Sequence, residues 1–258
     1  MLYLLLEKTR LKTLIFLLFV SQHQYKKKNK PNLNYLKSAL ETVYEVCKTK
    51  STVIIESTVY PGVSENLFSA IFKKKNKVEL CYSPERINPG DNQHTIENII
   101  KVVSFKRSIN KDVMNFYNKI SNHNTYVAKN IRTAEMAKAL ENTQRDINIA
   151  LINEMTILCD KAGISIYDVL DTAATKWNFL KFKPGLVGGH CIPVDPYYLS
   201  EYARQNKFVT KMILSGRKTN HHMINFFKQK IIDLINPSKK NKILFLGVTF
   251  KKNVSDLR

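Results

Sequence analysis

The chain has 258 residues, of which 44% are hydrophobic and 24% charged, and its formal net charge is +20. This length suits one large domain or two modest ones, and the composition excludes disordered, collagen-like and disulfide-scaffold proteins. The charge suggests nucleic acid or an anionic membrane as a partner. However, lysine supplies 33 of the 41 basic residues, whereas specific nucleic-acid readers depend on arginine. We therefore expect neither partner.

Strand and helix patterns alternate in the first half of the chain. Apolar residues spaced three and four apart indicate helices, and β-branched runs bounded by polar residues indicate buried strands. The alternation predicts the α/β class, with a parallel sheet covered on both faces. The predicted elements are a helix over 33–48, a strand over 51–58, a helix over 63–73, strands over 78–82 and 101–105, and a helix over 112–120.

The second half is predicted to be helical up to a final strand. One long helix is expected over 134–163, with Gly163 as its C-terminal residue. A buried strand at the end would open a second α/β domain. The remaining predicted elements are helices over 166–175, 197–205 and 209–235 and this strand over 241–250.

The cysteines and the N-terminal segment indicate the compartment. The four cysteines show no Cys-x-x-Cys spacing and no histidines at metal-ligand intervals, so we expect no metal site and a reducing cytoplasm. The apolar run 14–20 is far shorter than the roughly 20 residues that cross a bilayer. Apolar residues precede the first charges and no small-residue cleavage site follows, which argues against a signal peptide.

A glycine-rich loop precedes one of the cysteines. Gly185, Gly188 and Gly189 lie within seven residues of Cys191, and such glycines allow close approach to a ligand and direct N–H groups at a developing oxyanion. An isolated cysteine usually serves as a small hydrophobe. The glycine-rich loop and the nearby Asp195 make a nucleophilic role equally compatible with the sequence. The pattern therefore leaves both roles of Cys191 open.

Two further places carry chemistry. Lys138 and Asn142 are four residues apart and share a helical face, although by pattern alone Lys138 is an ordinary solvated lysine. Glu85 follows a strand end, where α/β proteins bind ligands. A surface carboxylate is the alternative for Glu85.

Seven segments together carry a family resemblance. They are ESTVYPG at 56–62, YSPERINPG at 82–90, AEMAKALENTQRDINIALINE at 134–154, TKWNFL at 175–180, PGLVGGHCIPVDPYYL at 184–199, SGRKTN at 215–220 and LGVTFKKNVSDLR at 246–258. In these segments the chain resembles the UDP-glucose/GDP-mannose dehydrogenase family, most of all its UDP-N-acetylglucosamine/UDP-N-acetylgalactosamine 6-dehydrogenase branch. The resemblance covers about residues 26–258.

The resemblance implies an NAD-dependent, four-electron oxidation of a sugar C6 alcohol to a carboxylate, for polysaccharide biosynthesis. Cys191 would capture the C6 aldehyde as a thiohemiacetal, and water would hydrolyse the later thioester. Lys138 and Asn142 would stabilise the developing oxyanion and hold a water molecule. Asp195 would orient the water.

Other residues follow from the same resemblance. Thr58 and Glu85 match residues that act in water activation and acid–base work beside the cofactor. Pro89 stands where UDP-glucose enzymes carry a second glutamate, which favours a UDP-N-acetylhexosamine substrate and leaves UDP-glucose as the alternative. The residues implied in substrate binding are Arg86, Asn88, Lys183, Gly185, Gly188, Gly189, Arg217, Phe250 and Lys251.

The resemblance also implies an organisation into domains. Residues 26–128 would form a partial NAD-binding Rossmann-like domain, 129–222 a central helical domain that dimerises through its long helix, and 223–258 the beginning of a UDP-sugar-binding domain. The family's Gly-x-Gly-x-x-Gly turn is missing, because no glycine precedes Gly62. We therefore expect a chain truncated at both ends that alone neither binds NAD nor turns over. A non-catalytic remnant that only dimerises is the alternative function.

Residues 1–25 are expected to be out of frame or disordered. Ser-Gln-His-Gln-Tyr at 21–25 can be encoded as TCC CAA CAC CAA TAC. Read two bases later, this gives Pro-Thr-Pro-Ile, which the family carries at this place. Sequencing of the locus tests this prediction.

Overall fold

The computed structural model describes residues 2–3, 15–20, 25–26, 30–47, 50–88, 90–189, 191–235, 240–247 and 249. Within them, the strands are β1 (Leu2–Tyr3), β2 (Ile15–Val20), β3 (Tyr25–Lys26), β4 (Lys30–Pro31), β5 (Thr52–Ile55), β6 (Glu79–Tyr82), β7 (Lys101–Phe105) and β8 (Thr125–Val127). The helices are α1 (Asn34–Val46), α2 (Val63–Ile71), α3 (Lys111–Ile120), α4 (Ile131–Ala162), α5 (Ile166–Ala173), α6 (Asp195–Gln205) and α7 (Lys211–Leu234).

One six-stranded sheet has the order β1-β2-β5-β6-β7-β8. Strands β2, β5 and β6 are parallel, with Thr52 opposite both Ile15 and Glu79. The all-parallel prediction is wrong at β7, which runs antiparallel to β6. A parallel neighbour needs a crossover connection, usually a helix, and the described part of 83–100 contains none. Strand β8, which is parallel to β7, was not predicted from the sequence.

The sheet is buried on both faces, as predicted. Along β5, Val53 and Ile55 belong to the core beneath α1 and α2. Ile54 faces the opposite core, where it packs with Tyr117 of α3. Successive strand residues point to opposite faces, so one short apolar strand serves both cores. Helix α1 confirms the predicted helix in this region and buries its apolar stripe, which includes Leu40.

The second half is helical, with the predicted long helix α4 at its centre. Asn130 caps the N-terminus of α4 by accepting the Thr133 N–H. Gly163 ends the helix in the left-handed conformation, with φ of 69°. Helix α6 begins two residues earlier than predicted, so that Asp195 lies in its first turn. In the described part of the chain, no helix combines the length and the apolar character that crossing a bilayer requires.

The strand predicted over 241–250 does not form in the described residues 241–247. Leu244, Phe245 and Leu246 are 81%, 73% and 87% exposed. A strand is stable only when neighbouring strands pair with it and its apolar face packs, and none of the described strands lies beside this segment. By contrast, residues 15–20, expected to be out of frame or disordered, form β2. The reading frame itself stays a prediction.

Candidate active site

Two loops at the carboxyl edge of the sheet carry Thr58 and Glu85. Each lies three residues after a strand, β5 or β6, and parallel neighbours end at the same edge. The loops are joined through their backbones: Ser83 N–H donates to Ile55 C=O at 3.0 Å, and Glu85 N–H to Glu56 C=O at 3.2 Å. The structure thus brings together two residues that are 27 positions apart in the sequence.

The Glu85 carboxylate is held from two sides. Its Oε1 accepts the backbone N–H groups of Arg86 and Ile87, both at 2.6 Å. Its Oε2 lies 3.6 Å from Nζ of Lys101. Glu85 is therefore held in place at the rim of the site by two backbone N–H groups and one ammonium group.

Residues of α4 and α6 meet in a second cluster. The buried Asn142 donates from Nδ2 to Oδ2 of Asp195 at 2.5 Å. Asp195 is fully buried at the first residue of α6, and its N–H donates to the Cys191 carbonyl at 2.9 Å. Lys138 is also buried, one turn before Asn142 on α4. The prediction that Lys138 is by pattern a solvated lysine is wrong.

Charges in this cluster act on the Cys191 thiol. Its pKa is raised to about 11, chiefly by burial and secondly by the negative charge of Asp195, while the positive charge of Lys138 lowers it. Both charges therefore lie close enough to the Cys191 thiol to change its pKa. With this pKa, Cys191 is mostly protonated at neutral pH. Because the thiolate is the reactive form, nucleophilic attack requires that another group accept the thiol proton.

The glycine loop before Cys191 is fixed to α4 at one point. Gly185 donates its N–H to Oδ1 of Asn153 at 2.9 Å and accepts from Nδ2 at 3.0 Å. Gly189 has φ of 87°, a backbone conformation that suits glycine. Lys183 and Gly188 are exposed. The loop thus has one fixed end and an open face.

Two predicted substrate-binding arginines make ion pairs within the chain. Arg217 of α7 is 8% exposed, and its Nη1 lies 2.6 Å from Oδ1 of Asp146 on α4. Arg86 reaches Glu141 of α4 at 2.9 Å. Asn88 is half-buried in the loop after β6. Phe250 and Lys251 are outside the described residues, and contact of any of these residues with substrate stays a prediction.

Comparison with known proteins identifies the family. Profiles of two domains of the UDP-glucose/GDP-mannose dehydrogenase family match the chain: the NAD binding domain over residues 7–121 and the central domain over residues 132–222. The two ranges take in most of the chain. It belongs to the UDP-glucose/GDP-mannose dehydrogenase family. The resemblance read from the sequence is confirmed.

Individual family members show how much of the length is shared. The chain is 44% identical to Protein CapL of Staphylococcus aureus over 90% of its own length and 57% of that protein's. It is 42% identical to UDP-N-acetyl-D-glucosamine 6-dehydrogenase of Salmonella typhi over 88% and 56%. The structure of UDP-D-ManNAc dehydrogenase from Pyrococcus horikoshii superimposes with a TM-score of 0.74 at 30% identity, covering 85% and 53%. The chain thus spans just over half the length of these relatives.

Helix α4 has a buried polar face that was not predicted from the sequence. Glu135, Asp146 and Asn153 are almost fully buried and share one helical face with Lys138 and Asn142. The signal was available, since these five residues are separated by three, four, four and seven positions. It was overlooked because polar residues at that spacing usually mark the solvated side of a helix. In this family member the polar face is the inner one.

Glu135 on that face closes the N-terminus of α2. Its carboxylate accepts the N–H groups of Gly62 at 2.6 Å and of Ser64 at 3.0 Å. Burial raises the pKa of Glu135 to about 7, although these hydrogen bonds lower it. A helix N-terminus commonly binds a phosphate group. Here two of its donors already bond to a side chain from within the chain.

Proposed function

We propose that this chain carries the central catalytic residues of an NAD-dependent enzyme that oxidises the C6 alcohol of a UDP-N-acetylhexosamine to the uronate in the cytoplasm, for polysaccharide biosynthesis. The decisive observation is the cluster in which Asn142 bonds to Asp195 while Lys138 and Asp195 act on Cys191. The relative named as a UDP-N-acetyl-D-glucosamine 6-dehydrogenase supports this substrate class. Pro89, in place of a second glutamate, supports it against UDP-glucose.

The chain does not supply a complete site for NAD. Gly62 is its first glycine, and the α2 N-terminus at Gly62 is already occupied by the Glu135 carboxylate. The pyrophosphate therefore has no glycine-rich turn on which to rest. When bound, NAD supplies the acceptor for two hydrides. We accordingly assign roles only to residues that would act on the sugar, with Thr58 and Glu85 beside the reacting carbon.

In the proposed reaction Cys191 forms the covalent bond. Its sulfur adds to the carbon of the C6 aldehyde, and Lys138 and Asn142 stabilise the negative charge on the former carbonyl oxygen until that oxygen takes up the thiol proton and the thiohemiacetal is complete. After oxidation to the thioester, Asp195 orients a water molecule. The water oxygen adds to the same carbon, the C–S bond breaks, and the carboxylate leaves the regenerated thiol.

Dimerisation is the second part of the proposal. The outer face of α4 carries Leu140, Leu151 and Leu158, each more than half exposed, opposite its polar inner face. Exposed apolar stripes of this kind indicate an interface. We propose a homodimer through α4, which a non-catalytic chain that only dimerises would also form.

The test uses the chain and an extended version of it. Titration of the 258-residue chain with NAD should show no micromolar binding. A chimera in which the relatives' N-terminal segment replaces residues 1–25 and their C-terminal segment follows residue 258 should form two NADH per UDP-N-acetylglucosamine or UDP-N-acetylgalactosamine. Cys191→Ala should abolish uronate formation in the chimera. A chimera that binds NAD but forms no NADH, or a Cys191→Ala chimera that still makes uronate, would contradict the proposal.

A further inference from the structure

A buried lysine lies beneath the two loops at the carboxyl edge of the sheet. Lys101, the first residue of β7, is 1% exposed. Its Nζ lies 3.2 Å from Oε1 of Glu56 and 3.6 Å from Oε2 of Glu85. Fully buried lysines are rare unless they are paired, and this ammonium faces a carboxylate from each loop.

Strand direction explains how Lys101 reaches this place. In the antiparallel register of β6 and β7, Cys81 is opposite Phe105 and Tyr82 is opposite Ser104. Continuing that register by three residues puts Glu85 opposite Lys101. The Ser83 hydroxyl donates to the Val102 carbonyl at 2.7 Å, so the two segments stay in contact just beyond β6.

The second carboxylate joins the other loop to the same ammonium. Glu56 follows β5 directly and lies two residues before Thr58. Its Oε1 also accepts the hydroxyl of the fully buried Tyr117, at 2.5 Å. The pKa of Tyr117 is well above its usual value, because of burial and then the charge of Glu56. The tyrosine therefore remains a donor, and Glu56 is fixed between Tyr117 and Lys101.

We propose that Lys101 is a positioning residue, which holds the Glu56–Thr58 loop and the Glu85 carboxylate in one fixed arrangement for the reaction at Cys191. This inference rests on the proposed function for the roles of Thr58 and Glu85. The arrangement itself rests on the two ion pairs. Breaking a buried ion pair leaves an uncompensated charge, so loss of the ammonium displaces both carboxylates.

Hydrogen exchange in the 258-residue chain tests the arrangement without any need for turnover. The amides of Arg86 and Ile87 donate to Glu85, so their exchange rates report directly on its position. Lys101→Met should accelerate both at least tenfold, whereas Lys101→Arg should stay within threefold of the original chain. The control Val43→Ala removes buried volume in α1 but touches neither ion pair of Lys101, and it should leave both amides unchanged.

A double variant keeps the test decisive if Lys101→Met alone fails to fold. Lys101→Met with Glu56→Gln removes the ammonium without stranding the Glu56 charge, and the two amides should still exchange at least tenfold faster. Exchange within threefold of the original chain in either Met variant overturns the proposal, as does an equal acceleration in Val43→Ala.

The chimera supplies a second readout. There, Lys101→Met should lower kcat at least tenfold with KM within threefold, and Lys101→Arg should restore at least a third of kcat. Unchanged kcat in Lys101→Met also overturns the proposal. A chimera without any NADH formation contradicts the proposed function instead, and the exchange rates still decide on Lys101.

Discussion

The Glu135 carboxylate on α4 accepts the Gly62 N–H, 73 residues earlier in the chain, at a distance of 2.6 Å. Gly62 caps the N-terminus of α2 with φ of 92°, four residues after Thr58. One turn further along α4 lies Lys138. A single buried side chain therefore ties the loop of the sheet domain that carries Thr58 to the helix that carries Lys138 and Asn142.

Stability should depend on pH through Glu135. Its pKa is about 7 in the folded chain and 4.5 as the ordinary value, so the folded state holds a proton that the unfolded chain releases between these limits. The contribution of Glu135 to the free energy of unfolding is complete below about pH 4.5 and is lost as the pH rises through 7. The loss is at most about 3 kcal/mol. Urea unfolding of Glu135→Gln from pH 4.5 to 8 should show a weaker decline. Glu154→Gln, exposed on the same helix, should keep the original profile; an unchanged profile in Glu135→Gln contradicts this assignment.

The hydrogen bond between Asn142 and Asp195 should contribute to folding. Asn142→Ala leaves the fully buried Asp195 without this donor, so we expect a loss of about 1–3 kcal/mol in the free energy of unfolding. Asn142→Asp should lose more, because two carboxylates would meet in a buried site. The control is Asn148→Ala, whose side chain bonds to a carbonyl one turn earlier on the same helix and should cost less than about 1 kcal/mol. Equal losses at both positions would refute the prediction.

Cys191 alkylation should follow the two charges that act on it. Asp195 raises and Lys138 lowers its pKa of about 11, and the thiolate fraction sets the rate. With iodoacetamide at pH 8, Lys138→Met should slow the labelling of Cys191 several-fold, and Asp195→Asn should accelerate it. Peptide mass spectrometry separates Cys191 from the buried Cys47, Cys81 and Cys159. The control Lys161→Met changes an exposed lysine on the same helix and should leave the labelling rate of Cys191 unchanged. An unchanged rate in Lys138→Met would contradict the assignment of Lys138 to the cluster.

The outer face of α4 should hold two copies together. Leu140→Glu with Leu151→Glu places charges on the apolar stripe, where each is 56% exposed. Sedimentation and size exclusion should then show a monomer, whereas the original chain should be a dimer. Arg145→Gln changes the charge in the same direction at an exposed position off the stripe and should remain dimeric. A dimer that survives both leucine changes places the interface elsewhere.

Local sequence patterns predicted most helices and strands correctly. The predictions that failed concern features that depend on contacts with other parts of the fold. The helix ending at Gly163 follows from local signals, namely the residue spacing along it and the glycine at its end. The direction of β7 depends on the connection before it, and the burial of Glu135 depends on α2. The apolar run around Phe245 is a good strand sequence, but strand formation needs partner strands that the described residues do not provide.

The candidate catalytic residues were named from family motifs, and their surroundings were not. Cys191, Lys138 and Asp195 were singled out in the sequence, and the structure brings them into one site. Lys101 and Glu56 were missed because an isolated lysine and an isolated glutamate carry no spacing signal. Their pairing becomes visible only when three strand ends meet at one edge.

The reversed direction of β7 makes this edge sensitive to alignment between strands. Because successive side chains point to opposite faces, a slip of one residue along β6 would present Ile100 or Val102 where Lys101 now meets the carboxylates. An insertion within the loop 90–98 leaves that alignment intact and should be tolerated. An insertion between Ile100 and Val102 would instead exchange a cation for an aliphatic side chain at the centre of the edge. Variation in natural relatives should accordingly accumulate in the loop and stop short of the strand.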